Sequence, residues 1–149
     1  MGIFAFVRPW PRWVPQPQAL ELPDFAAQAP LHFSVAHDVS LAGTWQCDLA
    51  DESLTWSTAV FDLFGIAPGT PLDRRDVLNL YCPESRATLG RLRADAIARR
   101  GSFTFEAKIR RPDGDERWMR ITADIACRNG RATHLYGLKQ DITAEWRHR

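Results

Sequence analysis

From Phe103 to Ile142 the chain carries three runs of alternating character separated by two turn signals, and few folds accommodate that pattern. In the first run Phe103, Phe105, Ala107 and Ile109 share one parity, and Thr104, Glu106, Lys108 and Arg110 the other. Arg111-Pro112-Asp113-Gly114 follows, with proline at the second and glycine at the fourth turn position. In the second run Met119, Ile121, Ala123 and Ile125 alternate with Trp118, Arg120, Thr122 and Asp124, and Asn129-Gly130 is a strong hairpin turn. The third runs from about Ala132 to Ile142. Side chains of a strand point to opposite faces in turn, so each run is a half-buried strand. The short turns make the three an antiparallel meander.

The preceding segment supplies two more strands and the helices. Trp45, Cys47 and Leu49 alternate with polar residues, Asp51-Glu52-Ser53 is a turn, and Leu54-Thr55-Trp56 is a second short strand. Thr58 caps a short helix through Phe64, which Gly65 ends. Asp73 to Tyr81 reads as a second short helix. Pro83 opens a longer one, with Glu84 in its first turn and Leu89, Leu92 and Ala96 at helical spacing; Arg99, Arg100 and Gly101 close it. The order β-β-α-α-α-β-β-β predicts an α+β domain: a single five-stranded antiparallel sheet with helices on one face.

The chain has 149 residues, 45% of them apolar and 25% charged, with a net charge of +1. That balance suits one soluble domain with its own core. The longest clean apolar run, Ile3 to Val7, is far short of the roughly 20 residues of a membrane span, and a secretory leader pattern is missing at the start. We therefore expect a cytoplasmic protein with no membrane partner. Seventeen arginines are interleaved with 18 acids and form no basic stripe, so no nucleic-acid partner is expected. Cys47, Cys82 and Cys127 are scattered, and His32, His37, His134 and His148 have no metal-ligand spacing, so no metal site is expected.

Residues 1–40 differ from the rest. Six of the ten prolines and two of the six tryptophans, Trp10 and Trp13, fall within the first 30 residues. Proline excludes regular helix or central strand. We read an extended strap, rich enough in aromatics to pack on its own domain or on a second copy.

Gly43-Thr44-Trp45 with Asp48-Leu49, Trp56-Ser57, Leu63-Phe64-Gly65-Ile66, Pro68-Gly69, Pro83-Glu84-Ser85-Arg86, Ile109-Arg110-Arg111-Pro112-Asp113-Gly114, Arg117-Trp118 and Gly137-Leu138-Lys139-Gln140-Asp141-Ile142-Thr143 stand in this order and spacing. Together they make residues 41–143 resemble a PAS domain of the bacterial sensor-kinase type, with 144–149 a short C-terminal stub. The resemblance implies a module that senses small ligands, redox state or light, or that dimerises and docks partners. It also implies that Asp141 and Thr143 couple the sheet to whatever follows. Fold alone does not choose among these tasks.

The cofactors that the resemblance brings in are disfavoured. A flavin sensor's adduct cysteine would fall nearest Val77, while Cys82 comes several residues too late. Its flavin-edge partners would fall near Ile109, Met119 and Lys139, and the first two cannot make amide-type hydrogen bonds. A haem sensor's histidine would lie on the long helix, which has none between Pro83 and Arg100. An unidentified small ligand stays open, in a pocket drawn from Phe61, Phe64, Leu78, Tyr81, Phe105, Ile109, Met119, Ile121, Leu135 and Lys139. Any one apolar member of that set is as well explained by the core. Lys139 is read as solvated or snorkelling; turned inward, it needs an anionic partner or a route to water, and it could then hold a carboxylate ligand.

Our first reading is a stand-alone, non-enzymatic signalling and interaction module. It dimerises through the strap and the outer sheet face, with Trp10, Trp13, Trp45 and Trp118 as candidate anchors, and regulates a partner such as a two-component sensor histidine kinase in trans. The alternative is a sensor of a small apolar or anionic molecule. A third is an enzyme resembling the ketosteroid-isomerase cone, using Asp124 and His134, although nothing sets a base beside an oxyanion donor.

Overall fold

A computed structural model describes residues 42–149. The elements are β1 (Ala42–Asp48), β2 (Leu54–Trp56), α1 (Thr58–Phe64), α2 (Arg74–Leu78), α3 (Pro83–Arg99), β3 (Phe103–Arg110), β4 (Glu116–Arg128), β5 (Arg131–Asp141) and α4 (Thr143–Arg147). The strands form one antiparallel sheet in the order β2-β1-β5-β4-β3. The expected five-stranded antiparallel sheet is thus the observed one, with β5 as the central strand, and one unexpected helix, α4, follows it. Both meander turns use the predicted residues: Gly114 donates to the Arg111 carbonyl at 2.8 Å, and Asn129 and Gly130 take positive φ of 52° and 77°.

The helix-covered face holds the core. Ala107, Ile109, Met119, Ile121, Ala123 and Ile125 are buried there with Val60, Leu63 and Phe64 of α1. Two glycines in the strands allow close approach. At Gly43 a Cβ would stand 2.7 Å from the Ser57 hydroxyl and 2.7 Å from Val60, so only glycine lets α1 start directly on β1. At Gly137 a Cβ would press into the Thr122 carbonyl group, 2.8 Å from its carbon.

Three local expectations need correction. Ser57, not Thr58, is the N-cap residue of α1, and its hydroxyl is taken by the Thr44 amide at 3.0 Å. The second helix stops at Leu78 instead of Tyr81, because the chain turns there to form a bridge between Tyr81 and Ile109. Bonds from Cys82 N to Lys108 O (2.9 Å) and from Arg110 N to Leu80 O (2.7 Å) hold that bridge. The amphipathic face of α3 is shallow: only Ala96 is fully buried, with Leu89 and Ile97 partly so.

After β5 the chain crosses to the outer face. Ile142 N donates to Trp118 O at 2.9 Å, and the Thr143 hydroxyl accepts from Trp118 N at 2.9 Å. The Asp141 carboxylate accepts from the Thr143 amide at 2.9 Å and from Arg117 at 3.0 Å. These bonds start α4, whose Trp146 stacks flat on Trp118 at 3.8 Å. Glu106 receives Trp146 Nε1, Arg149 and Arg120 on the same face. Hydrogen bonding from Arg149, with help from Arg120 and Trp146, brings its carboxyl down to about 2. Trp118 therefore does lie on the outer face, partly covered by Trp146.

Candidate functional site

The site grows from the alternation of β5. Leu135 and Lys139 share a parity, and both are buried on the helix-covered face. The solvated reading of Lys139 is therefore overturned: its residue exposure is 6%. The register leaves no choice, since Lys139 lies opposite Ile121 on β4 and Gly43 on β1, and Ile121 belongs to the core. Pointing Lys139 outward would send Leu135 into solvent with it.

The Nζ of Lys139 donates to the Tyr81 hydroxyl at 3.2 Å. Four ring centroids surround it, those of Trp45 at 4.9 Å, Phe64 at 5.2 Å, Trp56 at 5.6 Å and Tyr81 at 5.9 Å. Ring faces attract a cation, which makes this an aromatic box around an ammonium group. No carboxylate among the described residues touches it. Burial, reinforced by the Arg74 charge, pushes its pKa down to about 7. Burial raises the Tyr81 phenol well above its ordinary value, so the phenol stays protonated.

Beside the box lies a cavity of about 40 Å³. Its apolar wall comes from Leu54, Val77, Leu78, Leu89, Ile121 and Leu135, and Trp45, Cys47, Tyr81 and Lys139 close it. Arg74 of α2 and Arg93 of α3 complete the lining and stand partly in solvent. Glu52, in the β1–β2 turn, bridges them at 3.1 Å and 2.8 Å. Trp45 Nε1 and Trp56 Nε1 are buried and have no acceptor among the described residues.

Of the ten pocket candidates, Leu78, Tyr81, Ile121, Leu135 and Lys139 line this cavity. Phe64 joins the aromatic box, while Phe61, Ile109 and Met119 are core and Phe105 packs partly buried on β3 against Phe103. Trp45 does not belong to the outer face: it is 7% exposed and walls the cavity, since it shares a parity with Cys47. Trp10 and Trp13 lie outside the described residues. Asp124 and His134 sit at outer-face positions, alternating with core residues Ala123, Ile125 and Leu135, and so do not reach the cavity. The reading from sequence missed Cys47, Leu54, Arg74, Val77, Leu89 and Arg93. The parity of Trp45 and Cys47 was the available signal for β1, whereas nothing local shows which helix face brings Arg74 and Arg93 together.

A family model of the PAS fold matches residues 53–138. The chain belongs to the PAS fold family. Curated relatives include the sensor protein FixL of Bradyrhizobium diazoefficiens, 29% identical over 76% of this chain and 23% of that protein. A blue-light-activated histidine kinase of Brucella anthropi is 26% identical over 71% of this chain and 21% of its own length. The chain thus spans less than a quarter of these relatives. Among solved structures, the N-terminal domain of a diguanylate cyclase with PAS/PAC sensor from Marinobacter aquaeolei superimposes with a TM-score of 0.65 at 17% identity, over 70% of this chain and 98% of that one. A sensory box histidine kinase/response regulator from Burkholderia thailandensis gives 0.65 at 19% identity, over 80% and 88%. This PAS domain resembles sensory modules of signalling proteins. No helix among its described residues is long and apolar enough to cross a membrane.

Proposed function

We propose that this PAS domain is a non-enzymatic sensory module of a cytoplasmic signalling system, in which a small polar guest beside Lys139 is read out to a partner such as a histidine kinase. The observation that carries the reading is Lys139 itself, a buried amine in an aromatic box with no acid among the described residues to neutralise it. A core position on a central strand is normally apolar, and an unpaired cation there is costly. The adjoining cavity supplies the space. Ile109 and Met119, both fully buried, offer no amide-type hydrogen bond to a flavin edge, and α3 carries no histidine for haem, which supports a small guest over either cofactor. Homodimerisation and regulation in trans belong to the same proposal, with the outer face around Trp118 as the contact region.

The test is to purify the protein in carboxylate-free buffer, denature it and search the extract by mass spectrometry. The expected result is a small molecule released from wild type and absent from Lys139→Met. Clean extracts from both would refute the sensory reading and leave only docking.

A further inference from the structure

We propose that the Lys139 cavity is a receptor site for a short-chain monocarboxylate, with Glu52 as its built-in competitor. The inference rests on the sensory reading above and names the guest's chemistry.

The lining is rich in donors and short of acceptors. An ammonium group has three N–H bonds, and Tyr81 takes one of them. Trp45 adds a buried indole N–H without an acceptor among the described residues. Arg74 and Arg93 add positive charge at the solvent edge. Such a set is completed by an anionic acceptor, and a neutral guest would leave most of it unmet.

Size and wall chemistry narrow the anion. A cavity of about 40 Å³ holds a guest of about three or four heavy atoms. Its remaining wall is aliphatic, with Leu78, Leu89, Ile121 and Leu135. One charged end and a short alkyl tail match those two surfaces. A phosphate or a dicarboxylate would press a second charge against leucine.

Glu52 shows that the arginine pair already recognises a carboxylate. It reaches Arg74 at 3.1 Å and Arg93 at 2.8 Å, and its side chain is 46% exposed. Its φ of 66° is the left-handed conformation that non-glycine residues seldom adopt. An incoming carboxylate competes with Glu52 for the two arginines.

The titratable and charged groups facing Lys139 are Tyr81, Cys47 and Arg74, with Arg93 and Glu52 farther out. None of the near ones is an anion at neutral pH. A bound carboxylate therefore raises the amine's proton affinity, and binding takes up a proton. Affinity weakens as pH rises above about 7.

The experiment is an NMR titration of the 15N-labelled protein with sodium formate and sodium acetate, against sodium chloride at equal ionic strength and acetamide as neutral isostere. The expected result is saturable shifts of the Trp45 indole N–H with the carboxylates alone. Affinity falls at least tenfold in Lys139→Met and rises severalfold in Glu52→Gln. Should Lys139→Met lose its fold by circular dichroism, the pair Arg74→Gln with Arg93→Gln takes its place and must also weaken binding. An equal response to chloride, or undiminished affinity in the variants, would overturn the proposal. If carboxylates fail while the denatured extract yields another molecule, this inference falls and the sensory reading stands; if both fail, both fall.

Discussion

Replacing Lys139 by methionine should change how stability responds to pH, and the size of the change can be worked from the site. The ordinary value of a lysine is 10.5, and burial holds this one at about 7. Below pH 7 native and unfolded chains both carry the proton, and the full penalty of burying the cation is present. Between 7 and 10.5 the native amine has lost its proton while the unfolded one keeps it. The unfolded state then binds more protons, so wild-type stability rises with pH across this window. One unit is worth about 1.4 kcal/mol, which gives wild type about 3 kcal/mol on the variant between pH 6.5 and 9.5. Methionine has no proton to lose and fills similar space with a flexible apolar chain. The variant leaves the Tyr81 hydroxyl without its partner, but that loss does not vary with pH in this range. Cys47 and Cys127, whose thiols burial pushes up, and Tyr81, raised likewise, titrate the other way near and above pH 9. Both proteins share them, so they largely cancel in the difference. Urea denaturation of the two proteins at half-unit steps is the assay. Stability curves that stay parallel within about 1 kcal/mol would refute the reasoning, because an amine that is solvated in the native state gives no such slope.

Gly137→Ala should destabilise by about 3 kcal/mol or abolish folding, since its Cβ meets backbone of Thr122 that has no free space to move into; the urea midpoint reads it. Trp146→Ala should release α4 from the outer face, losing the stack on Trp118 at 3.8 Å and the bond to Glu106 at 3.1 Å; faster hydrogen exchange at the indole of Trp118 reports it, and unchanged exchange would contradict the docking. Glu106 should release α4 on acidification. Its carboxyl is held at about 2 against an ordinary 4.5, so its contribution is complete above pH 4.5 and lost as pH falls through 2, read from tryptophan fluorescence.

The meander was legible because its period is two over three long runs and both turns carry residues suited to their backbone. The position of β1 beside β5 was not written locally. It follows from packing Trp45 and Cys47 against the same helices as Leu135. Lys139 shows why the site was only half legible. Its parity with Leu135 was in the sequence, but propensity argued for solvent, because lysines are seldom buried without a partner. What decided the matter was register, which moves a whole strand at once. Arg74 and Arg93 lie on different helices, 19 positions apart, and meet only through Glu52 in a turn. No periodicity of a single element encodes that meeting. The outer face was equally hidden, since a C-terminal stub of six residues gives no pattern from which to see Trp146 reach Trp118.

The burial of Lys139 is best understood through what an apolar residue would do in its place. Methionine or leucine would fill the same volume on β5, satisfy the rings of Trp45 and Phe64, and remove a cation from the core. The ring faces return part of the amine's desolvation cost, and the Tyr81 hydroxyl returns another part, but a box that only served packing would need neither. The indole N–H groups of Trp45 and Trp56, two of the rings around the amine, have no acceptor among the described residues either. On the proposed reading, the buried Lys139 amine and the Trp45 indole, which line a cavity whose solvent edge carries two arginines, await an acceptor from outside. Supplying that acceptor restores stability to the very strands, β1, β2 and β5, that carry the donors. In that proposal a guest changes how firmly β1, β2 and β5 are held together, which gives an occupied cavity a mechanical consequence at the sheet.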